Sequence, residues 1–575
     1  MAERILSPGV FSRENDLSFL TPAPGEISTA LVGPTAKGPV EIPTVVRSYG
    51  EYLNVFGGAF KSGSDYYTHF TTLAAQHYFE QGGTSLLVSR VAGSSTNTFD
   101  PATSEVVSGS TTLFTLETLA EGEIMNNSGA AGDNNVLVSG SADNLRWEIT
   151  SANSSLGTFS LSIRRGDDNE KNKIVLESYQ NLSLDPNSPN YVAARIGDMA
   201  TTNAAGVLTT TGDYVNRSKY VRVSSVAVKT PDYFDNNGTA KSGYTTYFNS
   251  GLAGTSGSAY GAFNGAAGKL YNSVDAAFGS TTPTLTESQG VDPSTQYSNI
   301  ITTLSNRDDY RFNVLLTPGL VNSTHSNIVS QFISMVENRG DAIYVIDPVY
   351  YSEGLAEARS QATALNTSYG AAYWPWVKMR SSALGKDIWA PASTVIGGVY
   401  AFNDKLGAEW FAPAGLLRGG IPGVSMAARK LSQTDRDNLY LDKVNPIATF
   451  PGSGVVAYGQ KTLQTKASAL DRVNVRRLLI NLKNFIGDQA NTLVFEQNTI
   501  ATRNRFLANV NPYLETVVQR QGLYAYRVVM DDTNNTADVI DRNMLVGQIF
   551  IQPAKTAEFI VLDFVVQPTG ATFGA

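Results

Sequence analysis

A chain of 575 residues with a net charge of −8 and 16% charged residues is too long for one ordinary core and lacks the basic excess of a nucleic-acid binder. It has no cysteine, which excludes disulfide staples, thiolate metal sites and cysteine nucleophiles. The apolar fraction of 42% is enough for three or four packed units, and the wealth of Gly, Ser, Thr and Asn suits a β-rich, surface-covering protein.

Residues 1–21 read as an arm. Their apolar set, Ile5, Leu6, Val10 and Phe11, is broken by Ser7-Pro8-Gly9, and Pro8 has no N–H for a ladder, so the segment suits only an edge or terminal strand. With Glu3 and no continuous apolar stretch it is not a secretory signal, and no apolar run approaches the ~18 residues that span a bilayer. Compact text follows: a strand over 27–32, a Gly33-Pro34 turn and a strand over 44–47. Ser48 is a predicted N-cap, with Glu51 completing a capping box and Gly57-Gly58 ending the helix. Phe70, Leu73, Ala74 and His77 predict a longer helix that stops at Gly82-Gly83 before a strand over 85–91.

Residues 96–305 are polar, with short alternating strands such as Phe159, Leu161 and Ile163, and read as one or two β-rich outer domains inserted into a surface loop. The alternation of strand and helix then returns at 312–316, 327–338, 342–346 and 352–365, which argues for a mixed or parallel sheet with helices on its faces. An α/β middle domain is therefore expected over 22–95 plus 306–389.

A compact α/β core domain is expected over 390–559. Its stretch 468–486 is amphipathic, with Val475, Leu478, Leu482 and Phe485 on one arc and Arg472, Arg476 and Lys483 in a second stripe beside it. Asn498 is the expected cap of a helix reaching Gln521, Gly522 its stop, and strands follow at 524–530, 545–551 and 558–566. The segment 560–575, with Ile560, Leu562, Phe564 and Val566, reads as a C-terminal strand and arm. The fold class is α/β within a multi-domain α+β chain.

Alternating βα text often carries enzymes, yet no site assembles. Around Gly261, Gly265 and Gly268-Lys269-Leu270 the spacing of a phosphate loop fails, because Phe263 stands at its first glycine and Leu270 at its hydroxyl position. No dinucleotide fingerprint follows Val91. His69 and His77 are two turns apart rather than the one that lets a pair chelate. Asp347, at a strand end before Pro348, reads as a cap, and the charges Arg307, Asp308, Asp309 and Arg311 as a solvated loop. No catalytic residue, metal or cofactor is expected. The Arg472, Arg476, Arg477 and Lys483 stripe is either the solvated side of a helix or a dock for an acidic partner.

An ordered series of motifs closes the reading. It comprises Asp404, Gly407, Trp410, Ala412-Pro413-Ala414, Val444-Asn445-Pro446-Ile447, the stretch 454–463, Asn474-Val475-Arg476-Arg477-Leu478 and Phe495-Glu496-Gln497-Asn498. Ser7-Pro8-Gly9-Val10, Gly33-Pro34 to Gly38-Pro39, Phe56-Gly57-Gly58, Gln81-Gly82-Gly83 and 177–191 add to it. Through these the chain resembles contractile bacteriophage (myovirus) tail sheath proteins over most of its length apart from the insert. It departs from them at Tyr458, usually Trp, and Lys461, usually Arg.

The resemblance implies a non-enzymatic virion component, assembled in the host cytoplasm as a helical stack of hexameric rings. Its partners would be further copies of itself, the tail tube protein, and baseplate and tail terminator proteins, with no nucleic acid and no direct membrane insertion. The arms at 1–21 and 560–575 would lend strands to neighbouring subunits, and Arg472, Arg476 and Lys483 would dock the tube. The sheath of a phage-like bacteriocin or other contractile injection system is the alternative, and a glycan-binding tail-surface protein a remote one.

Overall fold

The computed structural model describes residues 29–62, 65–92, 100–126, 143–168, 170–248, 252–254, 260–266 and 293–558. Both expected arms, with Ile5, Leu6, Val10 and Phe11 and with Ile560, Leu562, Phe564 and Val566, lie outside the described residues.

An eight-stranded sheet organises the chain, in the order Thr44–Val46, Leu86–Arg90, Thr29–Gly33, Val314–Val321, Ile343–Asp347, Gly370–Trp374, Val444–Phe450 and Gly454–Ala457. The inner six strands run parallel and the two outermost antiparallel. Several inner strands are buried at every position, as expected where helices cover both faces. Neighbouring side chains serve opposite layers. Leu31 packs with Leu73 of helix Phe70–Glu80 and Val395 of helix Ser393–Leu406, whereas Ala30 and Val32 belong to the core that holds Ile300, Phe332 and Leu439. This is the expected α/β class, built as three layers.

The structure redraws two expected boundaries. Gly370–Trp374 pairs in parallel with Val444–Phe450, so the division at 389/390 cuts through one core. Alternating text shows that strands and helices occur; it does not show which strands pair across a long crossover. Likewise helix Pro293–Leu304, expected within the insert, buries Tyr297, Ile300 and Leu304 beneath the large sheet. The strands between Pro101 and Ala262 form separate sheets, two of them four-stranded, around a core containing Trp147, Leu161 and Phe248. Here Gly261 lets the strand Tyr260–Ala262 approach the Trp147 indole, which a Cβ would meet at 2.1 Å.

Helix ends differ in detail from the sequence expectation. The Ser48 hydroxyl accepts the Glu51 N–H at 3.1 Å, but the Glu51 carboxylate reaches the Arg47 N–H at 2.8 Å, one residue short of a closed capping box. Helical turns run over Asn322–Arg339 but break at His325 (φ −111°, ψ 32°), so the regular helix follows that kink near the expected start at 327, and His325 Nδ1 accepts the Val321 N–H at 3.1 Å. His77 is buried in the core, with Nε2 3.2 Å from the Pro422 carbonyl, and burial pushes its pKa down to about 4. His69 is the N-cap residue of helix Phe70–Glu80 and is buried as well.

Asp347 does act as a cap, across the fold rather than locally. Its carboxylate accepts the Ser393 N–H at 2.9 Å and the Ser393 hydroxyl at 2.5 Å, holding the start of helix Ser393–Leu406 against the end of a sheet strand. Burial pushes this carboxyl up to about 7, against the hydrogen bonds that favour its charge.

Candidate assembly interface

Beyond the sheet, the chain builds a second body from two helices, Val473–Asn491 and Ile500–Gln519, and a hairpin of Leu523–Val529 with Gln548–Pro553. Val475, Leu478 and Leu482 turn inward as the arc predicts, and Phe485 stacks on Tyr513 with ring centroids 3.7 Å apart. The second helix is capped by Thr499, whose hydroxyl accepts the Thr502 N–H at 3.3 Å, and not by Asn498. Asn498 instead donates to the Met544 carbonyl at 2.8 Å and accepts from Arg503 at 2.8 Å.

Three contacts weld this body to the sheet domain. The Arg477 guanidinium, 2% exposed, makes a bidentate pair with Asp404 at 2.8 and 2.6 Å. Burial works against its charge, but Asp404 more than offsets that and raises its pKa. Trp410, from the sheet domain, enters the core formed by Leu478, Leu482, Phe506 and Leu514. Its indole N–H donates to the Arg520 carbonyl at 3.0 Å, while the Arg520 guanidinium returns to Gly407 at 2.6 Å.

The expected cationic stripe is not one surface. Arg476 is buried, with its guanidinium 2.5 Å from the Ser368 hydroxyl and stacked 4.1 Å over the Tyr369 ring. Arg472 pairs with Glu558 at 2.8 Å and Asp471 at 3.0 Å. Lys483 stays exposed, 3.2 Å from the Tyr369 hydroxyl. The long stems of the two arginines fold onto the sheet domain, because the helix lays that flank against it instead of toward solvent. Nor is the charged loop at 307–311 merely solvated: Arg307 reaches Asp341 at 3.3 Å within the sheet domain, and Arg311 reaches Asp488 at 2.7 Å, a polar tie between the bodies.

The hairpin is the least finished part. Among the described residues it is a sheet of two strands, with one face on helix Ile500–Gln519 and the other exposing Tyr524 (66%) and Phe550 (56%). Isolated two-stranded sheets are marginal in water, and open edges invite a further strand. Beside it runs an open groove of about 1060 Å³, lined by Leu493, Phe495, Phe506, Met530, Met544 and Ile549. Phe495 is 102% exposed with φ of 70°, a left-handed conformation unusual for a bulky residue.

Among the described residues no group of three or more His, Asp or Glu is placed to hold a metal, and no helix is long and apolar enough to cross a membrane. Tyr458 packs on Phe450 with centroids 4.8 Å apart, and the Lys461 ammonium donates to the Tyr440 carbonyl at 2.7 Å.

The family model for the phage tail sheath protein central domain matches residues 295–463, and that for the phage tail sheath C-terminal domain matches residues 465–567. Residues 295–567 thus match both phage tail sheath domain models. Their junction falls just after the last strand of the large sheet, at Ala457, rather than at 389/390. The tail sheath protein of Vibrio phage KVP40 is 44% identical over 185 residues, and that of Enterobacteria phage T4 is 42% identical over 185 residues. Each match covers 32% of this chain and 28% of the phage protein, so the matched stretch spans less than a third of those sheath proteins. The crystal structure of a sheath tail protein from Listeria innocua shares the fold, with a TM-score of 0.53 at 10% identity over 92% of this chain and 96% of that one.

Sequence reasoning singled out Asp404 and Arg477 but not their pairing, held Gln460 only as part of the stretch 454–463, and missed the roles of Tyr440 and Glu558.

Proposed function

We propose that this chain is the subunit of a contractile tail sheath, polymerising as stacked hexameric rings around an inner tail tube and contracting to drive that tube through a host envelope. The observation that carries the reading is the region 295–558, which matches both sheath domains, is welded by Arg477–Asp404 and Trp410, and holds a sheet that has two strands among the described residues. Such a body moves as a unit, and such an edge accepts strands from other chains. The arms at 1–21 and 560–575 supply those strands to neighbouring copies, with Ile5, Leu6, Val10 and Phe11 and Ile560, Leu562, Phe564 and Val566 as their apolar faces. Lys483 is the member of the cationic stripe whose exposure suits the tube.

Contraction then needs no bound nucleotide. The extended lattice is held by a kinetic barrier, the baseplate releases it, and the contracted lattice gains contacts between rigid bodies while the arms keep subunits connected. Deleting residues 1–21 is expected to leave folded monomers, judged by an unchanged thermal midpoint, and to abolish polymers in sedimentation. Polymers of normal length from the truncated chain would defeat the arm mechanism.

A further inference from the structure

The last described residues do not trail from the hairpin. After Pro553 ends the strand, Ala554 donates its N–H to the Gly522 carbonyl at 3.0 Å, and residues 554–558 then cross back to the central domain. There both oxygens of the Glu558 carboxylate are engaged. Oε1 accepts from Arg472 Nε at 2.8 Å and from Gln460 Nε2 at 3.0 Å, and Oε2 accepts the Tyr440 hydroxyl at 2.9 Å. Gln460 also reaches the Thr556 hydroxyl at 2.7 Å, so one amide holds two residues of the crossing.

The partners stand on firm ground. Tyr440 lies in the last turn of helix Gln433–Leu441, and the Lys461 ammonium packs 4.3 Å over its ring. The Gln460 carbonyl accepts the first N–H of helix Val473–Asn491 at 2.8 Å, and Arg472 is the residue before that helix. Charge-assisted bonds to a carboxylate that is 16% exposed are stronger than a surface pair, because little water competes for them.

We infer that Glu558 is a mechanical anchor, with Arg472, Gln460 and Tyr440 as its socket, that takes tension arriving through residues 559–575 before it reaches the hairpin. This rests on the proposed role of that segment as an arm between subunits. Without the anchor, a pull on the chain end would unzip the two-stranded sheet from Pro553, breaking its ladder one bond at a time. With it, the pull is delivered to the start of the long helix and to the sheet domain, where the Arg477–Asp404 weld resists it. Arg472 is thereby a positioning residue for the arm and not a contact for the tube.

The test is hydrogen exchange on the full chain, comparing wild type with Arg472→Glu, Glu558→Arg, the double charge reversal, and Tyr440→Phe as a mild variant that keeps the ion pair. Each single reversal is expected to speed exchange at the Ala554 amide, which the Gly522 carbonyl holds, by about tenfold or more, while amides in helix Ile500–Gln519 stay as they are. The double reversal should bring the rate back toward wild type, and Tyr440→Phe should raise it only a few-fold. Unchanged exchange in the single variants, or faster exchange that the double reversal leaves in place, would overturn the anchor. None of these readings needs polymers, so a wild-type chain that fails to polymerise would count against the sheath function and leave the anchor standing.

Discussion

Asp404→Ala is expected to cost about 3–5 kcal/mol, because it leaves the Arg477 guanidinium charged, buried and without its partner. The reverse truncation should be milder. Asp404 is 25% exposed whereas Arg477 is 2% exposed, so in Arg477→Met the stranded carboxylate turns to water while the methionine fills the buried space. The order of the two variants therefore reports which partner depends on the pair. Urea unfolding followed through Trp410, which sits at the same junction, would measure it. Equal and small shifts in both variants would mean that the two bodies are held together by packing alone.

Trp147→Ala is expected to remove about 3–5 kcal/mol from the insert and almost nothing from the rest. Trp147 is fully buried, donates its indole N–H to the Ser104 hydroxyl at 2.7 Å and packs against Gly261. Its core is separate from the two that line the large sheet, though Ala36 and Phe60 reach into it. The insert meets the sheet domain through polar ties: Lys37 to Asp143 at 3.2 Å, Arg90 to the Glu121 carbonyl at 2.8 Å, and Asn203 to the Glu41 carbonyl at 2.8 Å. A seam of that kind transmits little cooperativity, so calorimetry should resolve an early transition that moves in the variant and a later one that does not. A single transition shifted as a whole would show the insert to be part of the main cooperative unit.

The alternation of strands and helices was legible because period and punctuation are local: Ser48, Gly57 and Gly82-Gly83 mark ends that the structure keeps within a residue or two. Pairing was not legible. Nothing local says that Gly370–Trp374 lies beside Val444–Phe450, and so the boundary at 390 was misplaced. The same limit governs the cationic stripe. Helical spacing puts Arg476 and Lys483 on one flank, but only the packed helix reveals that Tyr369 covers Arg476 and leaves Lys483 in water. Asp347 shows the converse, a role read correctly in kind from its strand-end position, with a partner, Ser393, that no sequence rule supplies.

The central claim, that this chain polymerises as a sheath, is tested most directly by negative-stain electron microscopy of the purified full chain, concentrated alone and with the tail tube protein. Hollow tubes with regular helical striation, alone or around the added tube, are the predicted result. Separate monomers in both samples, with the thermal midpoint of a folded protein, would contradict it.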